Sequence, residues 1–243
     1  MAPYIFSERN GIHIIDLHKT VAKIDEAAAA LKQIAKSGRT ILFVATKKQA
    51  KQVVAEKATE ANMPYITERW AGGMLTNFTT IRKAVKKMDS IDAMKENGTT
   101  NTLSKREQLQ IERQRAKLEK NLGSIRTMGR IPAALFVVDV LKEHIAVEEA
   151  IRLGIPVFGI VDTNSNPNNI DFVIPSNDDS TKAIEIILGE MVAAINEGIQ
   201  ERKIEKADEP KEGEQAPEVK ERRTRAKKTR APKAEAAEKP AEA

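Results

Sequence analysis

Three stretches of this chain are apolar over strand length with no helical periodicity: Thr40-Ile41-Leu42-Phe43-Val44-Ala45-Thr46, Ala133-Ala134-Leu135-Phe136-Val137-Val138-Asp139 and Pro156-Val157-Phe158-Gly159-Ile160-Val161-Asp162. A strand with one face in water alternates apolar and polar residues, so a continuous apolar run needs cover on both faces, as in a parallel sheet between helix layers. Helical patterns separate the runs: about 20–37, ending at Gly38, about 47–62, about 143–153 and about 178–198. Pro64-Tyr65-Ile66-Thr67 and Phe172-Val173-Ile174-Pro175 read as shorter strands. Ile12-His13-Ile14-Ile15-Asp16-Leu17 reads as a short apolar stretch before the first helix, with Asp16 or Thr20 as its cap. The alternation predicts a three-layer α/β/α domain with right-handed crossovers. Only 4% of residues are aromatic against 41% hydrophobic, so aliphatic side chains must do most of the packing.

One region breaks the rhythm. Ile81, Ala84 with Val85, Met88, Ile91 and Met94 recur at three- and four-residue spacing, predicting a helix that stops near Asn97-Gly98. Ser104 and Glu107 form a capping box for a second helix, with a sparser stripe at Ile111, Leu118, Leu122 and Ile125. A short polar link between them makes an αα-hairpin, coiled-coil-like and projecting from the sheet. Beyond Gly198 the chain has no aromatic residue and is rich in Glu, Lys, Ala and Pro, too polar to offset its ordering entropy. The expected organisation is an α/β core from residues 1–78 and 123–198, a hairpin insertion at 79–122 and a disordered charged tail at 199–243.

The net charge of +5 is unevenly spread. Residues 79–130 hold thirteen Lys/Arg against six Asp/Glu, while the core is left net acidic. In the tail, Lys220 to Lys233 holds eight basic residues and one acidic, a block suited to phosphate contacts. An anionic partner on the hairpin and tail is the expectation.

Several function classes lose support. Without cysteine there is no disulfide framework, thiolate metal site or cysteine nucleophile, and no serine lies in G-x-S-x-G. His13 and His18 lack the spacing of a helical metal pair. The first strand runs into Thr46-Lys47-Lys48-Gln49, with neither G-x-G-x-x-G nor a P-loop anywhere, so no nucleotide cofactor is expected. Asp139, Asp162, Asp178 and Asp179 at strand and helix ends could gather a divalent cation, with Asp162, Asp178 and Asp179 as candidates, although capping explains such aspartates more simply. The start lacks a signal-peptide pattern and no apolar run reaches membrane-spanning length, so a soluble intracellular protein with no membrane partner is expected.

The hairpin carries Arg82, Lys83, Lys86 and Lys87 on its first helix and Arg106, Arg113, Arg115, Lys117 and Lys120 on its second, an excess that acids at i, i+4 do not balance on the same scale. Just before it, Arg69-Trp70-Ala71-Gly72-Gly73-Met74-Leu75-Thr76-Asn77 combines the only tryptophan with an arginine and two glycines. Such a loop either anchors Trp70 in the core by a tight turn or lets a backbone approach a phosphate chain.

That loop resembles the signature of the bacterial small-subunit ribosomal protein two family. Asn10-Gly11-Ile12-His13-Ile14-Ile15-Asp16-Leu17, Ile41 to Lys47, Ala133 to Asp139, Gly154 to Ser165 and Phe172 to Asp179 resemble it in the same order, covering about residues 3–198. The resemblance implies a flavodoxin-like α/β/α domain with a protruding coiled-coil hairpin, non-catalytic, on the small ribosomal subunit between head and body. It implies small-subunit ribosomal RNA as a partner, with neighbouring small-subunit proteins that include the large multidomain messenger-binding protein, in the cytoplasm of a bacterium or in an organelle. Family members usually open with a Gly-His-rich segment that has no counterpart here, and their tails are usually shorter.

The expected RNA-binding residues are Lys47, Lys48, Arg69, Trp70, Gly72, Gly73, Asn77, Arg82, Lys83, Lys86, Lys87, Arg113, Arg115, Arg126 and Arg130. Two other readings stand beside this one. One is a nucleotide- or sugar-phosphate enzyme with Asp139 and Asp162 on a cation; the other is a protein scaffold docking through the hairpin.

Overall fold

The computed structural model describes residues 1–99 and 103–208. Five parallel strands form the central sheet: β3 (Ile41–Val44), β4 (Tyr65–Ile66), β5 (Ala134–Val138), β6 (Val157–Val161) and β7 (Phe172–Pro175), in the order β4-β3-β5-β6-β7. Starting at β3, the chain first adds a strand on one side, then crosses to the other. This is the flavodoxin-like order, with its switch point between β3 and β5.

Residue parity divides the core, as a period of two requires. Ile41, Phe43, Phe136, Val138, Phe158 and Ile160 face α1 (Leu17–Lys36), α2 (Lys48–Glu60) and α6 (Thr181–Asp208). Leu42, Val44, Leu135, Val137, Val157 and Val161 face α5 (His144–Arg152), the Trp70–Leu75 loop and the base of the hairpin. The three-layer α/β/α expectation therefore holds, with the hairpin base sharing one outer layer. All residues of β3, β5 and β6 are buried, which is why those segments read as unbroken apolar runs. The few aromatic rings cluster across strands: Phe158 stacks on Phe172 at 4.3 Å and Phe43 lies 5.3 Å from Phe136.

The hairpin consists of α3 (Phe78–Glu96) and α4 (Lys105–Leu122), the latter opened by the Ser104–Glu107 capping box. Val85, Met88 and Ile91 are buried along α3, whereas Met94 is 44% exposed, so the apolar seam fades before the helix ends.

Two features differ from expectation. Residues before α1 form an antiparallel pair, β1 (Ile5–Arg9) and β2 (Ile12–Ile15), turned by Asn10 and Gly11 at φ 52° and 78°. Asn-Gly between β-rich segments specifies this type of two-residue turn. Asp16 caps α1 by accepting from the His18 amide, while Thr20 donates its hydroxyl to the Pro175 carbonyl at 2.7 Å and ties α1 to β7.

The second difference is the boundary at residue 199. Helix α6 continues through Asp208, so 199–208 belong to the folded unit rather than to the expected tail; 209–243 lie outside the described residues. An ion-pair ladder accompanies the extension: Lys32 with Glu197 and Glu201, Lys36 with Glu201 and Glu205, at 2.5–3.4 Å. Such exposed pairs contribute little each, but they repeat at i, i+4 on both helices and set their alignment.

Gly198 lets the two helices approach, since a β-carbon there would overlap the Lys32 carbonyl. Gly198→Ala should therefore push α6 off α1 despite alanine's better helix propensity. The expected loss is about 1–3 kcal/mol in urea unfolding, the usual cost of overpacking; unchanged or raised stability would show that the helices separate freely.

Candidate nucleic-acid interface

The loop before the hairpin is organised by a residue the sequence reading passed over. Glu149 on α5 is 6% exposed, and its Oε1 accepts from the Trp70 indole N–H at 3.1 Å and the Gly73 amide at 2.8 Å. Its Oε2 accepts from the amides of Leu75 and Thr76 at 2.9 and 3.0 Å and from the Thr76 hydroxyl at 3.1 Å. Burial pushes this carboxyl up, but donors from Thr76, Leu75, Trp70 and Gly73 outweigh it and hold the group below the ordinary carboxylate range. The only sequence signal is a charge on the inner face of a helix, alongside Ala146 and Ala150.

This arrangement sorts the loop's expected RNA contacts. Trp70 is buried with its polar edge turned to Glu149, the core-anchoring alternative for that side chain. Arg69, Gly72 and Asn77 are exposed, and Gly73 adopts φ 84°, a conformation that favours glycine. Asn77 heads α3, its Oδ1 accepting from the Thr80 hydroxyl at 2.8 Å.

Lys47 sits elsewhere than on an open surface. Its Nζ lies 2.6 Å from both Asp178 Oδ1 and Asp179 Oδ1 and 3.6 Å from Asp139 Oδ2, at the C-terminal strand ends beside the switch point. Burial works against this ammonium, yet hydrogen bonds to Asp178 and Asp179 hold its pKa well above the ordinary lysine value. Asp178, 1% exposed, is pushed up by burial, with Asp139 and Asp162 adding like charge. Asp162, Asp178 and Asp179 do bring oxygens within 4.8 Å of one another, but a lysine ammonium already takes Asp178 and Asp179. Next to it, Glu143 accepts from the Thr46 amide at 2.9 Å and from the Thr46 hydroxyl, which ties the end of β3 to the start of α5. Lys48, by contrast, is exposed.

On the hairpin the closest ion pairs run from one arm to the other, while Glu119 lies 3.9 Å from Arg115 along α4. Asp92 on α3 pairs with Arg115 on α4 and lies 3.2 Å from Arg126, while Asp89 lies 2.6 Å from Arg126. The Arg115 guanidinium is the main reason the Asp92 carboxyl lies below its ordinary range. Arg82 donates to the carbonyls of Arg126 and Met128 at 3.2 and 3.1 Å. Lys120 and Lys51 meet at Glu68, each 3.2 Å from it. Of Arg82, Arg115 and Arg126, all expected on phosphate, Arg82 and Arg126 thus fasten the hairpin to its base and Arg115 ties its two helices together.

What remains unpaired among the described residues is more orderly than the raw charge count. Lys83, Lys86 and Lys87 are exposed at i, i+3 and i+4 on α3, on the side away from Val85 and Met88. Arg106, Arg113 and Lys117 are exposed on α4 at spacings of seven and four, which align on one stripe, away from half-buried Ile111 and Leu118. Arg69 and Arg130 are exposed near the hairpin base.

The switch point of this α/β domain thus holds an ion-paired lysine, and the inserted hairpin carries two stripes of exposed basic residues. Residues 1–198 match the family described as Ribosomal protein S2, and the chain belongs to that family, whose members are structural, non-enzymatic components of the ribosome. It is 73% identical over 217 residues to "Small ribosomal subunit protein uS2" of Phocaeicola vulgatus, covering 89% of this chain and 78% of that protein. The protein of the same description in Bacteroides fragilis is 72% identical over 214 residues, covering 88% and 77%, and that of Flavobacterium johnsoniae 67% identical over 217 residues, covering 89% and 85%.

Glu149→Ala should cost on the order of 3 kcal/mol, because it strands buried N–H donors, and should expose Trp70 to fluorescence quenchers. Since the folded-state pKa is lowered, Glu149 contributes stability that is present above the ordinary carboxylate range and lost as pH falls through the lowered value. Denaturation midpoints measured between about pH 3 and pH 7 should fall more gently in Glu149→Gln than in the wild type; parallel curves would mean the carboxylate is not the anchor.

Proposed function

We propose that this chain is a structural, non-catalytic component of the bacterial small ribosomal subunit that holds small-subunit ribosomal RNA through its hairpin, between head and body and beside the large multidomain messenger-binding protein. The observation that carries this reading is the pair of unpaired basic stripes, Lys83, Lys86 and Lys87 on one helix and Arg106, Arg113 and Lys117 on the other. Unpaired surface cations gain free energy by releasing counterions from a phosphate backbone, and a stripe on a rigid helix delivers several contacts together. Arg69 and Lys48 stand as further phosphate contacts, and Gly72 and Gly73 as points of close approach. Arg130 leads from the hairpin base into β5. Arg82, Arg115 and Arg126 hold the hairpin's angle, Trp70 and Asn77 shape its approach, and Lys47 locks the strand ends.

The division predicts two kinds of variant. Replacing Lys83, Lys86 and Lys87 by Gln should leave the unfolding midpoint unchanged while flattening the plot of log affinity against log salt, by about 0.7–0.9 units per phosphate contact. Lys47→Gln should do the reverse, lowering stability while keeping the salt slope. An unaltered slope in the hairpin triple variant, measured with purified small-subunit RNA, would refute the stripe as an RNA contact.

A further inference from the structure

The strand N-terminal edge, opposite the acidic cluster, holds a cavity of about 440 Å³ where the ends of α1 and α2 meet the flank of α6. Arg39, Arg202 and Lys203 line it. None of the three makes an ion pair or a side-chain hydrogen bond among the described residues. The single acid in the lining, Glu60, already lies 3.0 Å from Lys57. Asn62 and Asn196 add amides whose side chains are likewise unengaged.

Cations near helix C-termini are commonly there to satisfy carbonyls or to complement the dipole. Here the ends of α1 and α2 are closed without them. Ser37 and Gly38 amides return to Gln33 and Ala35, the Ser37 hydroxyl donates to Ile34, and Asn62 and Met63 amides return to Thr59 and Ala58. Among the described residues the guanidinium and ammonium donors of Arg39, Arg202 and Lys203 have no hydrogen-bond or ion-pair partner, and all three side chains line the cavity. Gly38, at φ 73°, completes the arrangement: a β-carbon there would overlap the Arg202 guanidinium, which lies over the bare glycine backbone.

We infer that this cavity is a second RNA-backbone site, taking phosphodiester groups with Arg39, Arg202 and Lys203 and offering Asn62 and Asn196 to ribose hydroxyls. It rests on the reading of the chain as an RNA-binding protein. Arginine forks suit phosphate oxygens, and amides beside them can use the 2′-hydroxyl that RNA presents. Three side-chain cations around an open concavity suit a polymer that brings several phosphates at once. A helix N-terminus, the ready-made site for a single phosphate, does not occur in this lining. The site also adjoins the hairpin base: Arg130 precedes Ala133, whose amide donates to the carbonyl of Thr40, the neighbour of Arg39, at 2.8 Å. An RNA strand leaving the hairpin base by Arg130 would meet this edge next.

The test uses the full chain, purified small-subunit ribosomal RNA and potassium chloride titrations of Arg39→Gln/Arg202→Gln/Lys203→Gln beside the hairpin triple variant. The pocket variant should keep its thermal midpoint, lose about two units of salt slope and bind roughly tenfold or more weakly near physiological salt. A flattened slope in the hairpin variant with none in the pocket variant overturns this inference and leaves the proposed function standing. The converse result keeps the pocket and removes the hairpin. A photo-crosslinking residue at Asn62 should join RNA nucleotides in intact subunits; crosslinks to protein alone would assign the cavity to an acidic polypeptide and overturn the RNA site. So would saturation by inorganic phosphate at constant ionic strength that leaves RNA affinity unchanged.

Discussion

A carboxylate with no cation beside it survives in a protein interior only where enough N–H and O–H donors replace its water. Glu149 meets that requirement with one indole N–H, three amides and a hydroxyl, all from the seven residues Trp70–Thr76. Because those donors belong to a loop and the carboxylate to α5, the contact fixes where the chain leaves the sheet after β4. Helix α3 starts two residues past Thr76, so its direction depends on the same carboxylate. The Arg115–Asp92 and Arg126–Asp89 pairs then set the angle of α4 against α3. A hairpin of alternating charge would be a floppy arm without these; with them it is a mount.

The same principle explains the division of the basic residues. Charges with acid partners are spent internally, and only those without partners can gain from releasing counterions off a phosphate chain. Lys47, Arg115 and Arg126 fall in the first group, Lys83, Lys86, Lys87 and Arg113 in the second. Lys47 also bears on the fold's usual ligand crevice. In a flavodoxin-like sheet that crevice lies at the strand switch point, and here an ammonium bridges Asp139, Asp178 and Asp179 across it.

How much of this was legible depends on where each signal resides. Strands β3, β5 and β6 announce themselves because both faces are buried, and the hairpin because Val85, Met88 and Ile91 keep a helical period. The Asn10-Gly11 turn was readable too, but β1 and β2 place Phe6 and Ile12 at 74% and 68% exposure, so no inward alternation flagged the strands around it. The end of α6 was hidden for a different reason. Its support comes from Lys32 and Lys36, some 165 residues earlier in the chain, while its own composition resembles the charged segment beyond.

Site residues were the hardest to sort, for the same physical reason. Residue type tells that a side chain is cationic, and family resemblance tells that phosphate lies nearby, but neither tells whether an acid faces that side chain across the fold. Arg113 and Arg115 are two apart on one helix with the same chemistry, yet one points at solvent and the other at Asp92. Local spacing shows only Glu119, 3.9 Å from Arg115 at i+4; the close pair is with Asp92 on the opposite helix, 23 residues away, which spacing along one helix does not show. The cations on the strand-start edge were overlooked by the converse error. Arg39 reads as part of a helix-ending turn and Arg202 as part of a tail; only folding α6 back along α1 brings the two guanidinium groups to one cavity.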